Sequence, residues 1–251
     1  MKKYEFTEET KNIYTMDKEI TLHRIRALQS FDEVKTGDLG GWIEDERNLS
    51  HNGNCWVSGN GWVFGNGRVF GNGRVSGNGQ VSGNGRVSGN GRVFGNGWVS
   101  DNGRVFGNGR VFDNGWVSGN GWVSGNGWVF GNGWVSDNGR VFGNGRVFGN
   151  GRVSGNGRVS GNGRVFGNGR VSDNGDITKP EHLLSIVPIG SRGDCTTFYR
   201  SKDNQIWVTC GCFCGALDKF VRKVEKTHGN NKHGSAYKIA IELAKAQIDL
   251  T

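Results

Sequence analysis

The sequence predicts a mainly β chain organised around a β-solenoid, and three observations carry that prediction. The unit Gly-Asn-Gly-x-Val-y, with x Arg, Trp or Gln and y Ser or Phe, fills residues 53–177 with few exceptions. Valine recurs every six residues from Val57 to Val171, and Ile177 closes a series of 21 units without an insertion. A fixed short period marks stacked repeats, whereas a glycine-rich chain without one would be disordered. The third observation is that the variable positions sort into columns at a spacing of 18. One column reads Ser58, Ser76, Phe94, Phe112, Phe130, Phe148, Phe166, and a second reads Phe64 followed only by serines from Ser82 to Ser172. The third alternates, from Phe70 and Ser88 to Phe142 and Ser160. Three six-residue sides therefore make one triangular coil, and seven coils at ~4.8 Å spacing make a prism roughly 30 Å long.

Each element follows from its own residues. Open rungs at the ends of a solenoid invite polymerisation unless they are covered. Residues 1–52 are expected to supply one cover, an N-terminal β cap with a strand over Ile20–Leu28 and a turn and apolar anchor over Gly37–Ile43. In the array, residues 53–177, x-Val-y reads as a short strand with Val facing one way and both neighbours the other. Gly-Asn-Gly reads as a corner, because both residue types tolerate left-handed backbone angles. Residues 178–251 read as a small α+β domain. Thr196–Arg200 and Gln205–Phe213 suggest a hairpin around Ser201–Asn204. Ala216–Thr227 is an amphipathic helix with Leu217, Phe220, Val221 and Val224 on one stripe. Ser235 is placed to cap a last helix bearing Ile239, Leu243 and Ala246.

Charge and cysteine content narrow the function classes. The formal charge is +8, and the array, with 12 Arg against five Asp, holds +7 of it. Such a surface attracts nucleic acid, anionic glycans or acidic proteins. The start, MKKYEFTEETKNIY, is charged and lacks an apolar h-region, and no run approaches a membrane span, so neither a signal peptide nor a membrane partner is expected. Five cysteines, three of them in Cys210-Gly-Cys212-Phe-Cys214, do not form a disulfide framework, and a reducing cytoplasm is the expected compartment.

With its aliphatic Val two residues after a small Gly, as in Gly61-Trp62-Val63, the array resembles the left-handed parallel β-helix of the hexapeptide-repeat superfamily, best known from acyltransferases. Left-handed coiling is implied by that resemblance, since the usual crossover rule favours the other hand. The run GDLGGWIEDERNLSHNGNCWV, residues 37–57, is similar to the segment leading into the helix in a set of bacterial and phage hexapeptide proteins. Those are mostly uncharacterised, or named as transferases for their fold. Gly at the small position, replaced once by Cys55, departs from the Ala, Ser or Thr more common in the family.

The chemistry is sparse. Enzymes of that superfamily generally use a histidine base between coils, but residues 52–181 hold no histidine and no loop insertion. His51 and His182 flank the array without visible partners for general-base work. Cys210, Cys212 and Cys214 would share one face of a strand, near Cys195, His228 and His233 in sequence. C-x-C-x-C is not zinc spacing, so they read as small buried hydrophobes, and no metal or cofactor is expected. Trp98, Trp116 and Trp134 line the serine column, and Arg92, Arg110, Arg146 and Arg164 the phenylalanine column. Arg/Trp, Ser/Phe and Gly/Asp each interchange by one transition mutation, so drift after duplication also produces this palette.

The reading that follows is a non-enzymatic oligomeric binding or scaffold protein with a host-interacting role in a phage as one setting. Phe94, Phe112, Phe130, Phe148 and Phe166 form an apolar stripe for self-association as a dimer or trimer, or for a protein partner. The Arg and Trp faces add attraction for nucleic acid or another polyanion, and the C-terminal domain could bind a protein partner. The alternative is an acyltransferase with its site at a coil end or subunit seam.

Overall fold

A computed structural model describes residues 2–15 and 18–251; Met1, Met16 and Asp17 lie outside the described residues. The repeat forms 21 two-residue rungs, β4 to β24, from Trp56–Val57 to Asp176–Ile177. They stack in parallel into three faces whose neighbours are 18 residues apart, so Val93 pairs with Val75 on one side and Val111 on the other. Every rung valine is at most 1% exposed, and these side chains fill the interior of the prism. Valine suits that place because its branched Cβ is already stiff and packs on a pleated surface.

The corners assign the three residues of Gly-Asn-Gly to three different tasks. The first glycine carries the positive φ, 59° at Gly95, and Gly97 N–H donates to the Phe94 carbonyl at 3.0 Å across the turn. Positive φ at the first central position alone is the pattern of a type II′ turn. Asparagine, expected to share the left-handed geometry, does not: among the described residues of the array, every positive φ falls on the first glycine or on Asp in its place. Asp101 and Asp113 hold φ 51° and 54°, so Asp is admitted there because it tolerates left-handed backbone. Asn instead stacks on Asn. Asn96 Nδ2 donates to Asn114 Oδ1 at 3.2 Å, and the pattern repeats along all three edges. The second glycine is fixed by contact, since a Cβ on Gly115 would lie 2.5 Å from the Val129 carbonyl oxygen of the next coil.

The N-terminal cover is a β-meander fused to one face of the prism. Strands β1 (Tyr4–Tyr14), β2 (Glu19–Ala27) and β3 (Leu39–Ile43) pair antiparallel, and β3 then runs parallel to β5 (Trp62–Val63) with Ile43 opposite Val63. Leu49 bridges to Val69 on the next face. Ile43 and Leu49 are both fully buried in the solenoid core, so they begin a further, incomplete turn and bring the solenoid to about eight. Each lies 20 residues before its partner, and the two extra residues fall between Leu49 and Val57, which hid this turn from a six-residue count. Strand β1 was also hidden, because YEFTEETKNIY is mostly polar and, Tyr4 apart, half-exposed or exposed.

At the other end, β25 (Leu183–Ile189), β26 (Asp194–Arg200), β27 (Ile206–Cys210) and β28 (Phe213–Ala216) form an antiparallel sheet. Helices α1 (Leu217–His228) and α2 (Lys232–Gln247) pack on one side of it, around Phe198, Val208, Phe220 and Tyr237. Its other side presents Leu183 and Tyr199 to the solenoid core. Helix α2 starts earlier than expected: Asn231 is the cap, its Oδ1 accepting from His233 and Gly234 N–H. The buried stripe is consequently Tyr237, Ala240, Ile241 and Ala244, while Ile239 and Leu243 face outward at 72% and 47% exposure.

Candidate functional site

Because x and y flank a buried valine, both project outward, and 18-residue stacking turns each into an axial row. The rows are close: stacked rings of Phe94 and Phe112 have centroids 4.9 Å apart, one rung spacing. Arg92, Arg110, Arg146 and Arg164 share the face of the phenylalanine column, together with Arg74 and Trp128. Trp98, Trp116 and Trp134 stand on a second face, joined to the N-terminal meander. Arg68, Arg86, Arg104, Arg140 and Arg158 make a row on the third, around Trp122. The residues singled out from the sequence are thus divided between two faces, and the third face carries an arginine row of equal length.

The aromatic residues are more covered than the sequence suggested. Phe94, Phe112, Phe130, Phe148 and Phe166 stack nearly parallel at 4.9 to 5.6 Å, so each inner ring has both faces shielded, and only the terminal Phe166 is well exposed. The stripe is a row of ring edges, and its apolar area is smaller than five free phenylalanines would give. Trp98, Trp116 and Trp134 stack likewise, and each indole N–H donates to a serine one coil back: Trp98 to Ser82, Trp116 to Ser100 and Trp134 to Ser118, at 3.1 to 3.2 Å. On this face the serine column thus satisfies the stacked indoles. In the arginine rows, Trp122 lies between the guanidinium groups of Arg104 and Arg140, 5.5 and 4.8 Å from its ring centre. Trp128 is held in the same way by Arg110 and Arg146. Such cation–π contacts order the arginines without neutralising them.

Of the twelve array arginines, only Arg74 has a carboxylate partner among the described residues, Asp32 of the N-terminal cap. Between each arginine row and the adjoining asparagine ladder runs an open trough. The one lined by Arg68, Arg86 and Arg104 against Asn66, Asn84 and Asn102 has a volume of about 400 Å³. Each Asn uses one amide hydrogen along the ladder and has a second to offer, so the trough presents guanidinium and amide donors together. The asparagine contribution was missed in the sequence, where Asn read only as a turn former.

The two histidines that flank the array are turned inward. His51 stacks on Tyr4 at 4.3 Å, and its Nδ1 accepts the Lys3 N–H at 3.1 Å. His182 is fully buried, and its Nδ1 accepts the Thr178 N–H at 3.2 Å. Burial holds both below the ordinary histidine pKa, with the charge of Arg200 adding to the effect at His182. Both therefore favour the folded state when neutral. Stability should be undiminished above the unfolded-state value of ~6.5 and fall as the pH drops below it. Melting temperature measured from about pH 8 to pH 5 should decline, and His182→Gln should flatten the decline. A profile that is flat in the parent chain would show that neither ring titrates differently on folding.

The cysteines do not share a strand face. Cys210 ends β27, Gly211 and Cys212 make the turn, and Cys214 lies on β28 opposite Thr209. Cys210 Sγ is 3.4 Å from Tyr237 Oη on the helix side, whereas Cys214 Sγ is 3.0 Å from Ser172 Oγ on the solenoid side. Cys212 and Cys214 are exposed rather than buried, and all five thiols are free. Among the described residues no group of three His, Cys, Asp or Glu side chains is placed to hold a metal ion. No helix there is long and apolar enough to cross a membrane.

Fold and surface together define a capped parallel β-solenoid of hexapeptide repeats with two cationic faces. Over 61 residues, 23% of the chain, it is 39% identical to YdcK of Escherichia coli (strain K12), which is named as an uncharacterised acetyltransferase. The match spans 19% of that protein's length. No family model matches the chain.

Proposed function

We propose that this protein is a non-enzymatic binding scaffold that holds a linear polyanion along its arginine rows. The observation that supports this reading is the alignment of guanidinium groups along two faces, each row interrupted by one tryptophan and only Arg74 paired with a carboxylate among the described residues, beside ladders of amide donors. Stacking on bases is not its main source, since the faces of Trp116, Trp122, Trp128 and Trp134 are covered by other tryptophans or by arginine and only Trp98, at the end of its stack, is exposed. Recognition would rest on charge and spacing, giving little sequence preference and a steep dependence on salt. Acyl transfer rests on the resemblance of the repeat and on the name of a relative matched over a small part of its length, and neither His51 nor His182 is presented for it.

Binding of a labelled oligothymidylate across a salt series tests the proposal. Log affinity should fall linearly with log salt, by about 0.7 per phosphate contact. Replacing Arg68, Arg86 and Arg104 together by Gln should reduce that slope by about 2. Binding that ignores salt, or an unchanged slope in the triple variant, would sink the reading. Poly-deoxyadenylate of the same length should bind equally well.

A further inference from the structure

The C-terminal domain has a concavity unrelated to the arginine rows. It lies between the β27–β28 turn and α1 and has a volume of about 210 Å³. Ile189, Phe213, Phe220 and Val224 give it apolar walls, with the Phe213 and Phe220 rings 5.3 Å apart. Arg192 and Lys223 stand at the same cavity, against Asp194 as the one carboxylate lining it. Arg192 Nε is 3.9 Å from Asp194 Oδ2 with both side chains more than half exposed, a pairing worth little in water. Lys223 has no carboxylate partner among the described residues; its ammonium sits 5.3 Å from the centre of the Phe213 ring. Gly211, at φ 56°, turns the strands here, and a Cβ on it would meet Arg192 Nη2 at 3.0 Å. The guanidinium therefore lies against bare backbone.

We infer that this pocket binds a small organic anion with a flat apolar body, of the aryl carboxylate or aryl phosphate class. The ring enters between Phe213 and the aliphatic wall, and the anionic group meets Arg192 and Lys223 at the rim. The volume is below the ~300–1,000 Å³ of sites for drug-sized ligands and somewhat above the ~150 Å³ that holds benzene. One ring with one anionic substituent matches it.

Titration calorimetry on the full chain with phenyl phosphate, and with phenol as its neutral counterpart, tests the assignment. Phenyl phosphate should saturate one site per chain, and phenol should bind at least ~10-fold more weakly. Arg192→Gln with Lys223→Gln should weaken phenyl phosphate by ~10-fold or more. The solenoid variant Arg68→Gln, Arg86→Gln, Arg104→Gln should leave it unchanged. Equal binding of phenol, survival of binding in the Arg192/Lys223 variant, or its loss in the solenoid variant would each overturn the inference. Both pocket side chains lie on the surface, so circular dichroism of that variant should match the parent.

Discussion

Gly127→Ala should destabilise the chain by about 3 kcal/mol, while Gly125→Asp, two residues earlier in the same corner, should change stability by less than about 0.5 kcal/mol. The two glycines are alike in sequence and opposite in physical role. At Gly127 a Cβ would lie 2.7 Å from the Val141 carbonyl oxygen of the next coil and 3.0 Å from that of Ser124 in its own corner, both backbone acceptors already held by hydrogen bonds. Alanine has no rotamer with which to escape. Gly125 has a φ of 56° and its Cβ position is 3.0 Å from Gly143 N, which is crowded yet matches where Asp already occurs. Asp101 accepts the Gly119 N–H one coil later at 3.2 Å, and Asp137 accepts that of Gly155 at 3.3 Å. An aspartate at 125 would make the same bond to Gly143, offsetting its backbone cost. Thermal melts of the two variants decide the matter. A drop of roughly 6–12 °C is expected for the alanine and almost none for the aspartate. Equal drops would mean that the aspartate bond does not offset the left-handed backbone cost at Gly125.

Tyr199→Ala should cost about 4 kcal/mol and convert a stable particle into one that associates end to end. Tyr199 is fully buried in the solenoid core although it belongs to the C-terminal sheet. Its ring lies over the last coil, where a Cβ on Gly175 would approach its Cε2 to 3.0 Å. Its hydroxyl lies 3.2 Å from Thr209 Oγ1 and 3.4 Å from the Ser172 carbonyl, tying sheet to coil. Removing the ring uncovers the apolar interior at the terminal rung and loosens Arg170 N–H to Thr197, Lys202 N–H to Asn174 and the Arg200–Asp176 pair around it. Light scattering across a concentration series should then show mass increasing with concentration. A variant that melts like the parent and scatters identically would show that the helices, rather than this side chain, seal the end.

Much of this architecture is written in the repeat. Six residues per side, three sides per coil and the columns of Phe and Ser follow from counting, because a solenoid without insertions converts sequence distance directly into height and face. The buried valine row follows too, since one apolar residue in six has only one place to go. Where the count changes, legibility ends. Ile43 and Leu49 join the core with a 20-residue offset, and β1 joins the meander with a polar sequence, so neither announces itself. In the last 74 residues no repeat helps, and helix α2 took its phase from Asn231 and Tyr237, leaving Ile239 and Leu243 outside.

The sequence by itself determined that arginine, tryptophan and phenylalanine stand in rows, and which residues share each row. Only the tertiary structure decided what those rows present. Rings 4.9 Å apart cover one another's faces, indole N–H groups find serines a coil away, and tryptophans wedge between arginines, so the inner aromatic surface is largely covered while the charge stays open. Those outcomes depend on side-chain directions between coils, a distance that sequence spacing does not encode. The two caps are the same lesson at larger scale. Their need follows from unpaired rungs, but which side chains seal the prism, Ile43 and Leu49 at one end and Leu183 and Tyr199 at the other, was set by packing between segments far apart in the chain.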